Sequence, residues 1–158
     1  MAEQKLNLPG WLNPANRIIV LLQRMGLAFF TFHLMSVRGR RTGKVRTTPV
    51  SPFTVDGRRY VLSVGETEWV RNARAAGEGV LSRGRRHRRV ALVEVPIDER
   101  EPIVREFPRQ VPRGTDFFVR LGLVAPPADS NAFAAAAPKL TVFRLDDLPT
   151  APSAGAAK

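Results

Sequence analysis

The sequence predicts an α+β protein built on a small antiparallel β-barrel. Two β-rich runs flank Asp56-Gly57, two more flank Gly84, and short helical segments interrupt these hairpins. Asp-Gly between β-rich runs is the strongest short-range hairpin signal, and hairpins of this kind are typical of small barrels. A chain of 158 residues can bury a core in one domain. We expect that domain to span residues 13–148, between a flexible segment at 1–12 and a disordered tail at 149–158.

The first predicted elements are a helix and a strand. Asn13 and Pro14 are typical of a helix start, and Gly26 is typical of its end. Because this helix is amphipathic, it either covers the core of the domain or contacts a membrane surface. Residues 28–37 form a Phe- and Thr-rich strand, in which we expect His33 to pack or hydrogen-bond rather than to act as a base.

The central segment predicts a hairpin followed by a helix. The two strands cover residues 46–55 and 59–64, and Pro49 and Pro52 place the first of them at a sheet edge, because proline cannot donate to a ladder. The helix is predicted at residues 68–76, capped by Thr67 and ended by Gly77. Further elements are predicted as strands at 80–82 and 90–95, helices at 98–106 and 116–121, a loop at 122–131 and a strand at 140–145.

Residues 37–50 form a basic, glycine-punctuated loop that leads into a strand. Gly39 and Gly43 let the backbone approach a ligand closely, and the charged side chains can donate to phosphate or carboxylate; they are Arg40, Arg41, Lys44 and Arg46. A P-loop is excluded, because only three residues separate the glycines and Val45 follows the lysine. The loop therefore predicts an anion clamp, with a solvated basic turn as the alternative.

The charge and composition of the chain limit the kinds of partner that it is expected to bind. The chain has 25 Lys and Arg against 14 Asp and Glu, a formal charge of +11, so we expect an anionic partner. Nucleic acid is not expected, since no nucleic-acid-binding motif is present. With no cysteine and two histidines, we expect no metal and a cytoplasmic protein. The basic run at 83–89 is either a solvated turn or a second anionic contact that extends the clamp.

Three segments together carry a resemblance to a family. They are the loop Gly39–Val50, the hairpin Asp56–Gly65 and the helical segment Trp69–Ala75 with its Trp-x-x-Asn pattern. In order and spacing they resemble the deazaflavin-dependent nitroreductases of actinobacteria, most clearly over residues 13–95. The resemblance implies a split β-barrel that binds the deazaflavin coenzyme F420, whose phosphate and oligoglutamate tail would explain the charge. The reduced cofactor donates a hydride, and the protein supplies binding and orientation.

The resemblance also implies positions for the cofactor. Near the phosphate and tail it places Arg40, Arg41, Thr42, Lys44, Arg46 and Thr47. Around the ring it places Pro49, Ser63, Val64, Gly65, Trp69 and Asn72. Trp69 and Asn72 share a helix face, so each either walls the ring or packs against the fold.

The chain departs from the family pattern in its tyrosines. Relatives active on bicyclic nitroimidazoles present tyrosines before the last strand, whereas this chain has only Tyr60. We expect an apolar substrate pocket that includes Phe117, Phe118 and Leu121 as a lid. The acceptor is then a quinone, an enone or a nitro compound, with quinones preferred over nitroimidazoles.

The alternative functions are a non-catalytic carrier of F420 or a lipid-like ligand, and an FMN-binding oxidoreductase. The protein is expected to be a monomer or a homodimer.

Overall fold

The computed structural model describes residues 33–149. The predicted flexible segment at 1–12 and the helix between Asn13 and Gly26 lie outside the described residues, as does the start of the strand at Ala28. The tail after Pro149 lies outside them too. The membrane contact proposed for the N-terminal helix therefore stays a prediction. Within residues 33–149, no helix is long and apolar enough to cross a membrane.

Within residues 33–149, seven strands form one antiparallel sheet. They are β1 (His33–Arg38), β2 (Val45–Val50), β3 (Phe53–Val55), β4 (Arg58–Val64), β5 (Glu78–Arg83), β6 (Arg86–Glu94) and β7 (Leu140–Asp147). Their order across the sheet is β2-β1-β5-β6-β7-β4-β3. Strand β7 thus lies in the interior of the sheet, where it pairs with β6 and with β4.

The sheet curls into a split barrel because its two edge strands are neighbours in the chain. Strands β2 and β3 lie at opposite edges, yet only Ser51 and Pro52 connect them. A flat sheet of seven strands would hold its edges several strand spacings of about 4.8 Å apart, so two residues can join them only if the sheet closes on itself. Strand β4 pairs with β3 only over Arg58–Tyr60, whereas it pairs with β7 from Arg59 to Val64.

The turn between β3 and β4 has the conformation that its sequence predicts. Asp56 and Gly57 have φ angles of 49° and 76°, as expected for a two-residue turn that needs the left-handed region at both positions. The predicted strand at 46–55 is divided into β2 and β3, with the break at Pro52. Pro49 lies in edge strand β2, which confirms the prediction that proline places this segment at a sheet edge.

Helix α1 (Glu68–Ala76) begins and ends where the sequence predicts. The Thr67 side chain accepts a hydrogen bond from the Val70 N–H, and Gly77 adopts φ 69° at the other end. Its most buried residues include Val70 and Ala73, each 0% exposed. Val70 does not lie on the helix face that the sequence analysis assigned to Trp69 and Asn72, so its burial was not predicted.

Four short helices lie between β6 and β7. They are α2 (Arg100–Val104), α3 (Phe107–Gln110), α4 (Thr115–Arg120) and α5 (Ser130–Ala136). Helices α2 and α4 match predicted segments, whereas α5 begins inside the predicted loop 122–131. Its start is set by Asp129, whose side chain accepts from the Ala132 N–H.

The sheet separates two hydrophobic clusters. The barrel-interior cluster is formed by one face of six strands together with α1, and comprises Met35, Val37, Val50, Val61, Val70, Ala73, Leu81, Val90, Leu92, Phe143 and Leu145. The helix-covered cluster lies on the convex face of β3, β4 and β7 under helices α2–α5, with Phe107, Phe118 and Phe133 at its centre.

An ion network fastens α1 to the sheet. Arg74 donates to Glu66 at 2.9 Å and to Glu94 of β6 at 2.7 Å. These hydrogen bonds from Arg74 hold the pKa values of both carboxyl groups below the ordinary range of glutamate. The position of α1 relative to the barrel is therefore fixed by apolar packing on one side and by charge on the other.

Candidate functional site

The basic loop of residues 39–44 is a preformed, closed turn at one end of the barrel. The Gly39 N–H donates to the Lys44 carbonyl at 2.8 Å, and the Gly43 N–H donates to the Gly39 carbonyl at 2.9 Å. Gly43 adopts φ 71°, and a Cβ at Gly39 would lie 3.0 Å from the Lys44 carbonyl oxygen. Both glycines are thus required by the backbone path.

Helix α1 holds this loop through Asn72. The Asn72 side-chain oxygen, in a residue only 4% exposed, accepts from the Arg40 N–H at 3.1 Å and from the Arg40 guanidinium at 2.9 Å. A buried amide that fixes both the backbone and the side chain of one loop residue orients the whole turn. Asn72, predicted near the ring, therefore already has a structural partner for its oxygen.

Glu68 forms the second tether of the loop and was not foreseen from the sequence. Its carboxylate accepts from the Arg40 guanidinium at 2.8 Å. The hydrogen bond with Arg40, together with the nearby charges of Arg40, Arg41 and Arg71, holds the pKa of Glu68 below its usual range. The same bond raises the pKa of Arg40. Arg40 is thus already neutralised from within the chain.

The remaining cations of the loop are available to a ligand. Arg41, Lys44 and Arg46 are exposed, and their side chains form no ion pair with any carboxylate among residues 33–149. The Thr42 hydroxyl accepts from the Lys44 N–H at 3.3 Å and is exposed beside them. Arg41 and Lys44 on the rigid turn, with Arg46 on the adjoining strand β2, can donate to phosphate or carboxylate oxygens.

An aromatic and hydroxyl-bearing surface lies next to this loop. The Trp69 indole N–H donates to the Ser63 hydroxyl at 2.7 Å, and the Trp69 ring lies 5.6 Å from the Phe143 ring at 59°. Trp69 is half-buried, so it packs on the barrel interior while keeping part of its ring exposed. Both alternatives considered for Trp69, packing and ring contact, remain compatible with this position.

Strand alternation divides the other predicted residues between the two faces of the sheet. Ser63 faces the barrel interior and Trp69, whereas the adjacent Val64 belongs to the helix-covered cluster and can reach a ligand only through its backbone. Gly65 accepts from the Thr141 hydroxyl through its carbonyl at 3.2 Å. On β2, Thr47 lies on the convex face, where its hydroxyl bonds Ser36 at 2.9 Å.

The predicted substrate residues lie on α4 and just after it. Phe118 is 5% exposed and forms edge-on contacts with Phe107 and Phe133, which makes it a core residue rather than a mobile lid. Phe117 and Leu121 are half-buried at the border of the same cluster. Contact between these residues and a substrate stays a prediction.

The second basic run does not extend the clamp. Neighbouring strands are antiparallel, so the turn between β5 and β6 at Gly84 and Arg85 lies at the opposite end of the sheet from loop 39–44. Arg88 pairs with Asp147 at 3.1 Å and Arg89 with Glu78 at 3.2 Å. The order of charges along the sequence cannot show this separation, because it depends on strand direction.

Comparison with known proteins identifies the family. The family model described as F420H(2)-dependent quinone reductase matches residues 23–119, more than half of the chain. The chain belongs to this family. The resemblance noted in the sequence is confirmed, and the cofactor is coenzyme F420. The protein is an F420H2-dependent oxidoreductase. Comparison with curated proteins gives no significant match.

Solved structures with the same fold share little sequence with the chain. The protein Atu2129 of unknown function from Agrobacterium tumefaciens str. C58 is 16% identical with a TM-score of 0.52, over 85% of this chain and 56% of that one. A structure described as a domain-swapped dimer is 15% identical, with a TM-score of 0.53 over 86% and 97% of the two chains. General Stress Protein 26 from Bacillus anthracis str. Sterne is 12% identical, with a TM-score of 0.51 over 78% and 83%. These likenesses bear on the fold alone.

The donor set at the α1 end of the barrel fits an F420H2-dependent enzyme. The cofactor has an anionic phosphate and tail, and the loop offers the unpaired cations Arg41, Lys44 and Arg46 beside the Thr42 hydroxyl. The partly exposed Trp69 ring supplies a flat apolar surface one helical turn from Asn72. Charge and shape thus agree with the requirements of the cofactor on the residues that the structure describes.

Proposed function

We propose that the protein is an F420H2-dependent reductase that acts on a small hydrophobic acceptor of the quinone type. The observation that carries the proposal is the position of the unpaired cations of loop 39–46 next to Trp69, at the same end of the barrel. The cations would hold the phosphate and tail of F420, and Trp69 would flank its ring. Pro49 lies on β2, Ser63 on β4 and Gly65 directly after β4, and the ring edge would lie along these residues.

The chemistry is divided between cofactor and protein. Bound F420H2 supplies a hydride, which reduces the acceptor by two electrons. The protein would orient the ring through the rigid loop and α1, and would exclude water with the apolar residues of α4. Hydride transfer leaves a negative charge on a quinone oxygen at the edge of the site. The proton that completes the reduction would then come from water.

The apolar character of the predicted substrate side favours quinones. Tyr60 is the single tyrosine of the sequence, and it is 8% exposed within the helix-covered cluster. No tyrosine hydroxyl is therefore offered to a nitro group. The half-buried Phe117 and Leu121 border the same cluster, and burial of ring carbons against such residues contributes about 25 cal/mol per Å².

The proposal is tested in two steps. The full chain is first titrated with F420, FMN and FAD in parallel, following cofactor fluorescence, and F420 is expected to bind much more tightly than the flavins because only its tail uses the loop cations. Oxidation of F420H2 is then followed under nitrogen with menadione and with a bicyclic nitroimidazole. We expect menadione to be reduced and the nitroimidazole to react slowly or not at all.

The outcomes separate the proposal from its alternatives. Tight F420 binding without oxidation of F420H2 by any acceptor would indicate a carrier instead of an enzyme. Preferential FMN binding would indicate a flavin-dependent oxidoreductase. Rapid nitroimidazole turnover without menadione reduction would contradict the substrate assignment, while leaving the cofactor assignment intact.

A further inference from the structure

A cleft of about 370 Å³ opens on the convex face of strands β1, β2, β5 and β6. Leu34 and Val80 form apolar parts of its wall, and Leu34 is only 5% exposed. Ligand pockets in proteins occupy about 300–1,000 Å³, so the cleft is large enough for a molecule of one ring with its substituents. Within residues 33–149, helices α2–α5 cover β3, β4 and β7, and none of them covers this part of the convex face.

Two pairs of polar side chains line the cleft. The Ser36 hydroxyl bonds the Thr47 hydroxyl at 2.9 Å, and the Ser82 hydroxyl bonds Nδ1 of His87 at 2.7 Å. A hydroxyl can donate once and accept twice, so the first pair keeps one O–H for a ligand. In the second pair, the tautomer in which Ser82 donates to Nδ1 places the ring proton on Nε2 of His87, where it can donate to a ligand. The cleft therefore offers donors fixed in place by their own pairing.

The charge of the cleft is positive. Arg85, at the turn between β5 and β6, lines the cleft, and within residues 33–149 it forms no ion pair. The residues that the structure places in the lining include no Asp or Glu. An unpaired guanidinium beside hydroxyl donors favours an oxyanion, because two parallel N–H groups match the oxygens of a carboxylate or phosphate.

This cleft is separate from the clamp loop. Its arginine lies beyond the start of β1, whereas loop 39–44 follows the end of β1, and six residues of strand at about 3.3 Å each separate the two ends by about 20 Å. A ligand with one ring cannot span this distance. Thr47 is the one predicted cofactor residue that lines the cleft, and its hydroxyl is directed to Ser36.

We propose that the cleft is a second binding site, for a small organic anion that carries a carboxylate or phosphate monoester on one ring. Arg85 binds the oxyanion, the free hydroxyl of the Ser36–Thr47 pair and His87 donate to it, and Leu34 and Val80 contact the ring. The site does not depend on the cofactor, so it can be tested whether or not F420 binds.

The test uses two-dimensional amide NMR spectra of the full chain, titrated with phenyl phosphate, benzoate and inorganic phosphate. Saturable shifts are expected at Ser36, Val80, Ser82 and His87, with the two ring-bearing probes binding more tightly than inorganic phosphate. Arg85→Gln should weaken the binding of phenyl phosphate by at least about tenfold, which is the usual scale for the loss of a charge-assisted contact. Arg85 and Arg86 are both exposed, so this substitution leaves the core unchanged.

Arg86→Gln is the matched control, because Arg86, the first residue of β6, directly follows Arg85 and does not line the cleft. Its phenyl phosphate affinity should equal that of the wild type. Equal losses in both variants would show a diffuse positive field and overturn the proposal. It would also be overturned by shifts confined to loop 39–46, by displacement of phenyl phosphate by F420, or by equal affinities for inorganic and phenyl phosphate.

Discussion

Two arginine-rich segments of similar composition have different surroundings. In residues 40–46, three of the four cations are exposed and form no ion pair with a carboxylate among residues 33–149. In residues 85–89, Arg85 and Arg86 also form no ion pair among residues 33–149, but Arg88 and Arg89 pair with Asp147 and Glu78 and so connect β6 to its neighbours in the sheet. A charge that the fold has already neutralised contributes to the fold, whereas an unpaired one attracts a ligand. Pairing, rather than composition, therefore separates the two roles.

The largest effect is expected from the double variant Arg41→Ala with Lys44→Ala. Each loss of a charge-assisted contact should weaken F420 binding about tenfold, and the two together about a hundredfold. The residual binding should also be less sensitive to salt. The measurement is fluorescence titration at several ionic strengths. The control is the double variant Arg88→Ala with Arg89→Ala, which removes the same charge from two ion-paired residues. An equal loss of F420 affinity in both double variants would contradict the distinction between the segments.

Trp69→Ala tests whether the unpaired cations lie beside a ring-binding surface. If Trp69 flanks the deazaflavin, the variant loses cofactor affinity and the stabilisation that saturating F420 gives in a thermal melt. A purely structural Trp costs about 3–5 kcal/mol of unfolding free energy when truncated, with or without ligand. Phe143→Leu is the control, since Phe143 contacts Trp69 from the fully buried interior. An unchanged ligand-induced shift in Trp69→Ala would make Trp69 a packing residue.

Substitution of a paired arginine should change the stability of the fold, and its dependence on pH, instead of changing F420 binding. Arg74 lowers the pKa values of Glu66 and Glu94, so its contribution is complete above the ordinary glutamate pKa of about 4.5 and is lost as pH falls through the lowered values. Arg74→Met should therefore reduce the unfolding free energy at pH 7 by about 1 kcal/mol or less, because the groups are partly exposed. The difference from wild type should shrink towards pH 2. Urea unfolding at several pH values measures it, and a difference independent of pH would contradict the ion-network interpretation.

The smallest effect concerns Glu68, the internal counterion of Arg40. Glu68→Gln removes the charge that competes with an anionic ligand, so F420 should bind several-fold more tightly and with a steeper salt dependence. Glu78→Gln, which frees Arg89 in the other segment, is the matched control and should leave F420 affinity unchanged. Weaker binding in Glu68→Gln would mean that the carboxylate orients Arg40 for the ligand instead of competing with it.

Local signals in the sequence predicted the elements whose ends are set locally. Asp56-Gly57 fixed the hairpin turn, and Thr67 with Gly77 fixed both ends of α1, because these residues act on the backbone next to them. Helix α5 was missed, although Asp129 followed by an alanine-rich segment is a usable start signal. The alanines carry little periodic contrast, and their burial comes from contact with α2 and α3.

The candidate site was predicted less completely, because its geometry depends on distant contacts. The sequence indicated that loop 39–46 binds an anion, and it placed Trp69 and Asn72 on one helix. It could not show that Asn72 and Glu68 hold Arg40, since 32 and 28 residues separate the partners. Nor could it show that the run at 83–89 lies at the other end of the sheet, which depends on how β5 pairs with β1.

The interior position of β7 has a consequence for synthesis of the protein. Strand β7 is the last strand within residues 33–149, yet it joins β6 to β4, and its residue Leu145 follows its partner Arg59 by more than half of the 158 residues. Until β7 leaves the ribosome, β1, β2, β5 and β6 can form one small sheet and β3 with β4 another, each with an open hydrogen-bonding edge. Nascent chains are therefore exposed to strand-to-strand aggregation until β7 is available to join the two sheets. Newly made protein should depend on chaperones in this interval more than the finished barrel does.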